Sequence, residues 1–382
     1  MEITYLGHAS HCVESGDDAL IIDPWFNPKG AFLGSWYQFP RNHDCLRTAI
    51  NKSKEKNTTV FVTHSHEDHF DTYSLKQLAI HVNQVMIPSY QDKTFLKQME
   101  SVGFDKVIEV KEEEHINIGS LSFHLFIDDS GINEDAAILV RDKEGRSFFN
   151  LNDCKIQDRV DYIKDNYGPI DVLTQQFSGA VMHPICYDYS KGDYKTISSR
   201  KRMAKMQGVY RIIKKLNPRV YFPSAGPCVF LSPQLFHLNF EKSGVFPKAS
   251  EFCEFLREKR LSTHCSELYP GSVLTLGHLS VSVNKTQDRV SQKGLKAYLK
   301  DYQREYYIEL ELNDPQELSK KLSAELLKKA LVTSKFDLDD VVPVYFFDGG
   351  SEYLRVCLSE GKVTAEDEII DDEYYLHTYD PK

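Results

Sequence analysis

The chain has 382 residues, room for two or three compact units at about 150 residues each. Hydrophobic residues at 41%, aromatics at 12% and charged residues at 27% are the composition of an ordinary folded protein and exclude a disordered or fibrous chain. The formal net charge of -10 argues against broad phosphate-backbone binding, so nucleic acid is not an expected partner.

The eight cysteines are scattered without a C-x-x-C pair, and the chain opens directly on Glu2-Ile3-Thr4-Tyr5-Leu6, which together predict a reduced, cytoplasmic protein. No apolar run approaches the ~20 residues needed to cross a bilayer. In chain order, short apolar strands are predicted at Ile3–Leu6, Ala19–Ile22, Val60–Thr63, Met86–Ile87, Val107–Val110 and Leu121–Ile127. Between them, Leu75, Leu78, Ala79 and Val82 repeat at helical spacing within Thr72–Val82, and Phe95, Leu96 and Met99 within Gln91–Val102. A second round has strands at Ala136–Val140, Ser147–Leu151, Val172–Leu173 and Val220–Phe222. A long basic helix over Thr196–Leu216 then stops before Pro218.

Two sheets flanked by helices fit this alternation better than one parallel sheet. Polar composition over residues 285–312 predicts a linker or helical connection between residues 1–284 and a small α+β unit over 313–382. In that unit Asp314, Pro315 and Glu317 suit a capped helix start, followed by the stripe Leu318, Leu322, Leu326 and Ala330. Val341–Phe347, the Gly349-Gly350 turn and Tyr353–Leu358 read as a β-hairpin.

The chemistry concentrates in His64-Ser65-His66-Glu67-Asp68-His69, directly after the strand Val60–Thr63 and before a helix. Four ligand-type side chains, His64, His66, Asp68 and His69, thus sit on a loop at the end of a strand. Imidazole and carboxylate together suit zinc, iron or manganese. An exposed, His-rich polar turn is the plain alternative, and it does not account for the position between a buried strand and a helix.

H-x-H-x-D-H after a strand resembles the signature of the metallo-β-lactamase superfamily. The segments Ile3-Thr4-Tyr5-Leu6-Gly7-His8-Ala9-Ser10 and Leu20-Ile21-Ile22-Asp23-Pro24-Trp25 are similar to the branch containing L-ascorbate-6-phosphate lactonase and N-acyl phosphatidylethanolamine phospholipase D. The resemblance covers roughly the first three-quarters of the chain and implies a four-layer αββα sandwich followed by the small α+β unit. It also implies His64 and His66 on one metal, Asp68 and His69 on a second, and Asp153, in Leu151-Asn152-Asp153-Cys154, bridging both. His8 would line the floor of the site as a substrate contact or serve as a structural hydrogen-bond donor. Asp23 would orient a ligand or close a turn before Pro24, and Cys154 reads as a small buried hydrophobe.

The resemblance also implies two further histidines in hydrolytic members, and both are changed here. The segment Asp128-Asp129-Ser130-Gly131-Ile132-Asn133-Glu134-Asp135 has no histidine, so an acid is expected in its place. Asp128, Asp129 and Glu134 are the alternatives, with Asp129 entered in the ligand set, and an acid favours iron or manganese over zinc. The late position reads Tyr221-Phe222-Pro223-Ser224-Ala225-Gly226-Pro227, which leaves His183 as a catalytic or ligand candidate or a packed residue, and His237 as structural. The His183 region, the late segment and Asn152-Asp153-Cys154 are similar in wording to the cytidine monophosphate N-acetylneuraminate hydroxylases, iron oxygenases of the same fold. That family's Rieske segment needs Cys-x-His and Cys-x-x-His pairs, and no cysteine here precedes a histidine at either spacing.

The run Arg200-Lys201-Arg202, with Lys205 and Arg211, could hold an anionic substrate, Arg200 and Arg202 being the candidate contacts, or form a solvated helix face. The expected function is a di-iron oxygenase acting on a small polar substrate and fed by an external electron donor, with Asp68, Asp153 and His183 as catalytic residues. A dinuclear hydrolase of a phosphoester, lactone or amide is the alternative, and a partner-binding scaffold the third reading.

Overall fold

The computed structural model describes residues 1–312, except 33, 83, 130–133, 180–182, 186–189 and 279 and the side chains of 129 and 308–312, together with the backbone of four strands between 344 and 377. Strands β1 (Glu2–Gly7), β2 (Ser10–Ser15), β3 (Asp18–Ile22), β4 (Asn57–Phe61), β5 (Gln84–Pro88) and β6 (Lys106–Val110) open the first sheet. The second contains β7 (Ile116–Ile118), β8 (Leu121–Asp129), β9 (Glu134–Asp142), β10 (Ser147–Asn150), β11 (Val172–Gln176), β12 (Val220–Ser224) and β13 (His264–Cys265). The chain then returns to the first sheet with β14 (Ser272–Leu276) and β15 (Val281–Asn284). The strand orders are β15-β14-β1-β2-β3-β4-β5-β6 and β13-β12-β11-β10-β9-β8-β7.

Strand alternation explains the layering. Ile3, Leu20, Ile22 and Phe61 from the first sheet meet Leu125, Ile138, Phe148 and Phe222 from the second, forming the core between the sheets. The outward residues Ile21, Val60 and Val85 bury against Ala49, Leu75 and Phe95 of helices Cys45–Glu55, Thr72–Ala79 and Thr94–Glu100. On the other side Leu139, Phe149 and Tyr221 bury against Ile163, Ile212 and Phe252 of helices Val160–Tyr167, Lys191–Leu216 and Ala249–Glu258. The result is the four-layer αββα sandwich. Strands covered on both faces lose their polar alternation: Leu20, Ile21 and Ile22 are all buried in sequence.

β3 to β6 run parallel, as do β10 to β13. Their C-terminal ends carry the loops that hold polar residues, the place where open α/β sheets bind ligands. The strand expected over Val60–Thr63 already ends at Phe61, because Thr63 leaves the ladder and donates its N–H to Asp23 at 2.8 Å. The long basic helix begins earlier than expected, at Lys191, where the Ser190 hydroxyl accepts the Asp193 N–H at 3.2 Å.

The polar stretch before residue 312 contains helix Leu295–Leu312, whose Leu299, Tyr302 and Tyr306 pack against Tyr37, Val229 and Leu231. Beyond it, β16 (Val344–Phe347), β17 (Tyr353–Cys357), β18 (Lys362–Glu366) and β19 (Tyr374–His377) form a third sheet, ordered β18-β17-β16-β19. β16 and β17 pair antiparallel, with Val344 opposite Val356. The helix expected after Asp314 lies outside the described residues.

Candidate metal centre

Asp23 is the hub of the site, although it was expected only to orient one ligand or close a turn. It follows β3 in a left-handed conformation, φ 44°, and is fully buried. Its Oδ1 accepts the Thr63 N–H at 2.8 Å, and its Oδ2 accepts the Thr63 hydroxyl at 2.7 Å and the Asn152 side-chain amide. Oδ2 also lies 2.8 Å from His69 Nδ1. One carboxylate therefore ties together the loops after β3, β4 and β10. Holding Nδ1–H of His69 leaves its Nε2 lone pair to face outward from that bond, the arrangement that metal-ligating histidines use.

His69 Nε2 then sits 3.7 Å from Asp68 Oδ2 and 3.6 Å from Asp153 Oδ1. His8, at the turn between β1 and β2, places its Nε2 3.0 Å from Asp68 Oδ2, and its ring stands edge-on to Trp25 at 4.8 Å. On the other side, His64 Nε2 lies 2.9 Å from His66 Nδ1, while His64 Nδ1 lies 2.9 Å from Asp135 and 3.0 Å from the Thr63 hydroxyl. Two trios result, His8 with Asp68 and His69, and His64 with His66 and Asp153, the ligand atoms within each lying within 4.8 Å of one another.

The donor set fits metal ions. His69 Nε2 and Asp153 Oδ1 are buried without a hydrogen-bond partner, an arrangement costly in a folded protein unless something else coordinates them. Burial pushes the Asp153 carboxyl up to about 7, with His69 opposing and Asp135 adding to the rise. Burial also works against the His69 imidazolium, but Asp68, Asp153 and Asp23 raise it to about 10. Asp68 is held below the usual carboxylate range despite its burial, chiefly by His69 and His8. Among protein groups alone the acids share charge with an imidazolium; cations in the same place would ionise every carboxylate and leave the histidines neutral.

His66 is exposed, whereas His64, Asp68 and His69 are buried. The loop after Asn27 covers this open side: the Phe32 N–H donates to the Glu67 carboxylate, and the Phe32 ring lies 6.4 Å from that of His66 and 5.1 Å from that of Trp36.

His64, His66, Asp68, His69 and Asp153 therefore come together, and His8 stands among the ligand-type groups where a floor position was expected. The acid beside His64 is Asp135, which was not among the three alternatives. It pairs in register with Asp128 across β8 and β9 and is buried, while Glu134 and Asp128 are half-buried. The side chain of Asp129 lies outside the described residues. Strand parity alone does not single it out: Asp135 shares its face of β9 with Ala137 and Leu139, but residues 135–140 are all buried. Cys154 is buried, as expected.

His183 donates to or accepts from Ser198 at 2.7 Å and packs against Tyr194, and no described contact joins it to the metal-type cluster. His237 bonds the Gln234 carbonyl at 2.9 Å on the surface. Arg202 donates to the Gly244 carbonyl at 3.2 Å and lies 3.3 Å from Glu251, whereas Arg200 lines an open depression with Lys195, Met203 and Arg211.

Residues 2–225 match the family model described as a beta-lactamase superfamily domain. A protein of Mycolicibacterium smegmatis described as a Rieske 2Fe-2S iron-sulfur protein is 29% identical over 319 residues, covering 79% of this chain and 59% of the relative. Cytidine monophosphate-N-acetylneuraminic acid hydroxylase of Xenopus laevis is 24% identical over 299 residues, 74% of this chain and 47% of the relative. The solved structure of CmlA, a diiron beta-hydroxylase from Streptomyces venezuelae, aligns with 16% identity and a TM-score of 0.47, over 72% of this chain and 54% of that one. The chain spans 59% and 47% of the two curated relatives' lengths. No helix among the described residues is long and apolar enough to cross a membrane.

Proposed function

Because the chain belongs to the beta-lactamase superfamily, we propose that it is a di-iron oxygenase that oxidises a small polar substrate. The observation that carries this reading is the convergence of two ligand trios around Asp153, with an acid, Asp135, supporting His64. Each trio joins two imidazoles to one carboxylate, the ligand combination that non-haem iron oxygenases use. Two relatives named as a Rieske protein and a hydroxylase point the same way.

His64, His66 and Asp153 would hold one metal and His8, Asp68 and His69 the other. Bound iron supplies the one-electron chemistry that dioxygen activation needs. Asp153 lies near both sets, its Oδ1 being 3.6 Å from His69 Nε2, and its two oxygens would allow it to serve both. Asp23 fixes the ring orientation of His69, and the Thr63 hydroxyl that of His64, with the Asp135 carboxylate 2.9 Å away adding negative charge beside it. Phe32, backed by Trp36, borders the exposed His66 side of the site. We assign this chemistry to residues 1–284. Electrons would come from a donor outside these 382 residues, because no cysteine in them has a Rieske-type histidine spacing. The six described cysteines are all free, which supports a reducing compartment, the cytoplasm.

The test is metal analysis of protein purified without added metal, followed by turnover of candidate substrates under air with a chemical reductant or ferredoxin system. Iron in the protein and product that requires both reductant and dioxygen support the oxygenase. Product formed without oxygen or reductant, at a zinc or manganese centre, overturns it in favour of a dinuclear hydrolase.

A further inference from the structure

Helix Lys191–Leu216 turns part of its basic run inward. Ser198, Lys201, Arg202 and Lys205 recur at three- and four-residue intervals, one stripe of a helix. Ser198 is buried and the three cations are half-buried; Arg200 and Arg211 on the opposite side, and Lys195 a turn before Ser198, stay exposed. A solvated helix face, the plain reading of this run, describes only that second group.

The inward cations are unequally matched. Arg202, with 14% of its side chain exposed, has Glu251 at 3.3 Å. Lys205 ends instead on the carbonyls of Gly179 and Val245 and 5.0 Å from the centre of the Phe246 ring. Among the described residues no carboxylate lies within ion-pair distance of Lys201 or Lys205. Withdrawing an ammonium from water without a counter-charge is unfavourable, and burial pushes Lys205 down to about 8, with Lys201 adding to the shift. His183, bonded to Ser198, feels both lysines as well.

This cluster adjoins the metal-type site through contiguous backbone. Ser178, next to Gly179, is buried with its hydroxyl unpartnered, and its carbonyl lies so close to Gly226 that a Cβ there would stand 2.7 Å from it. The neighbouring Ala225 N–H donates to the His8 carbonyl at 3.0 Å. The buried Cys228 responds to the charges of both Asp68 and Lys205.

We propose that Lys201 and Lys205, with the Ser178 hydroxyl, bind an anionic group of the substrate, a carboxylate or a phosphate, while the rest of that molecule extends to the metal centre. The assignment rests on the enzymatic reading above and narrows it to acidic substrates. An ammonium serves as a point charge for either anion, and a hydroxyl adds a directional donor. Anion capture should fail as pH rises through about 8, where Lys205 loses its proton.

The experiment is competitive amine labelling of the metal-loaded protein, read residue by residue by mass spectrometry, with inorganic phosphate, acetate or chloride at equal ionic strength. Phosphate or acetate, but not chloride, should protect Lys201 and Lys205 and leave Lys195 and Lys214 unaffected; which of the two protects identifies the anion. Lys205→Met should keep the metal content, lose the protection of Lys201, and raise KM for an acidic substrate about 10- to 100-fold with kcat little changed, while Lys205→Arg retains most of the protection. Equal labelling of Lys201 and Lys205 in all three salts overturns the proposal. Because labelling needs no turnover, that result is separable from failure of the oxygenase reading.

Discussion

Asp23 shows how much of a metal site is held by residues that no metal would touch. Its side chain bonds three residues on the loops after β4 and β10, so its loss loosens His69, Thr63 and Asn152 together. Asp23→Asn should lower metal affinity about 10- to 100-fold while the protein stays folded, measured by competition with a chromogenic chelator alongside circular dichroism. His66→Ala removes a ligand-type nitrogen itself and should abolish turnover with at least that loss of metal; full occupancy with normal turnover would contradict the scheme. At this scale the sequence was readable where residues cluster. His64 to His69 lie within six residues, and Asp153 closely follows an apolar strand. It was not readable at Asp135, because the choice among four acids depends on which face of β9 each occupies and on how far β8 has carried the chain.

Elements set where those residues point. The helix Thr72–Ala79 begins on Asp71, whose carboxylate accepts the N–H groups of Tyr73 at 3.2 Å and Ser74 at 3.3 Å, and also those of Phe26 at 3.3 Å and Asn27 at 3.2 Å. The cap thus anchors the loop after Asp23 to the helix after His69. Asp71→Ala forfeits the cap and strands buried donors, so a loss of about 2 kcal/mol or more is expected in urea unfolding, with m unchanged. The Leu75 and Leu78 spacing made this helix visible in advance. β2 was not visible, because Ser10, His11 and Glu14 interrupt its apolar pattern, yet all three are buried. His11 lies among Tyr5, Phe148 and Phe222, a surrounding supplied by other strands and not encoded locally.

Across the whole molecule, stability rests on the contact between the two sheets. Phe222→Ala in that core should cost about 3–5 kcal/mol, whereas Ile80→Ala, at a side chain 76% exposed, should change stability by less than about 0.5 kcal/mol; denaturant midpoints compare them. Acid should weaken the fold early. Burial, with help from Arg41, lowers His43 from 6.5 to about 4, so the unfolded chain takes up a proton in that window and the folded one does not. Stability should therefore fall as pH drops from 6.5 towards 4, and His43→Gln should flatten that slope in unfolding curves measured across the window. His43 lies under Tyr302 of the helix Leu295–Leu312, and the same tyrosine packs on Tyr37. Tyr37 pairs with Val229, and just before it Ala31 pairs with Trp36, closing the loop that seats Phe32 over His66. The helix leading out of the sandwich thus stands on the base of the loop that covers the metal-type site. A load applied to that helix, by whatever grips the chain beyond residue 312, would be transmitted as a lever acts on a hinge: prising Tyr302 and Tyr306 from Tyr37 would lift the cover, and pressing them home would hold it shut.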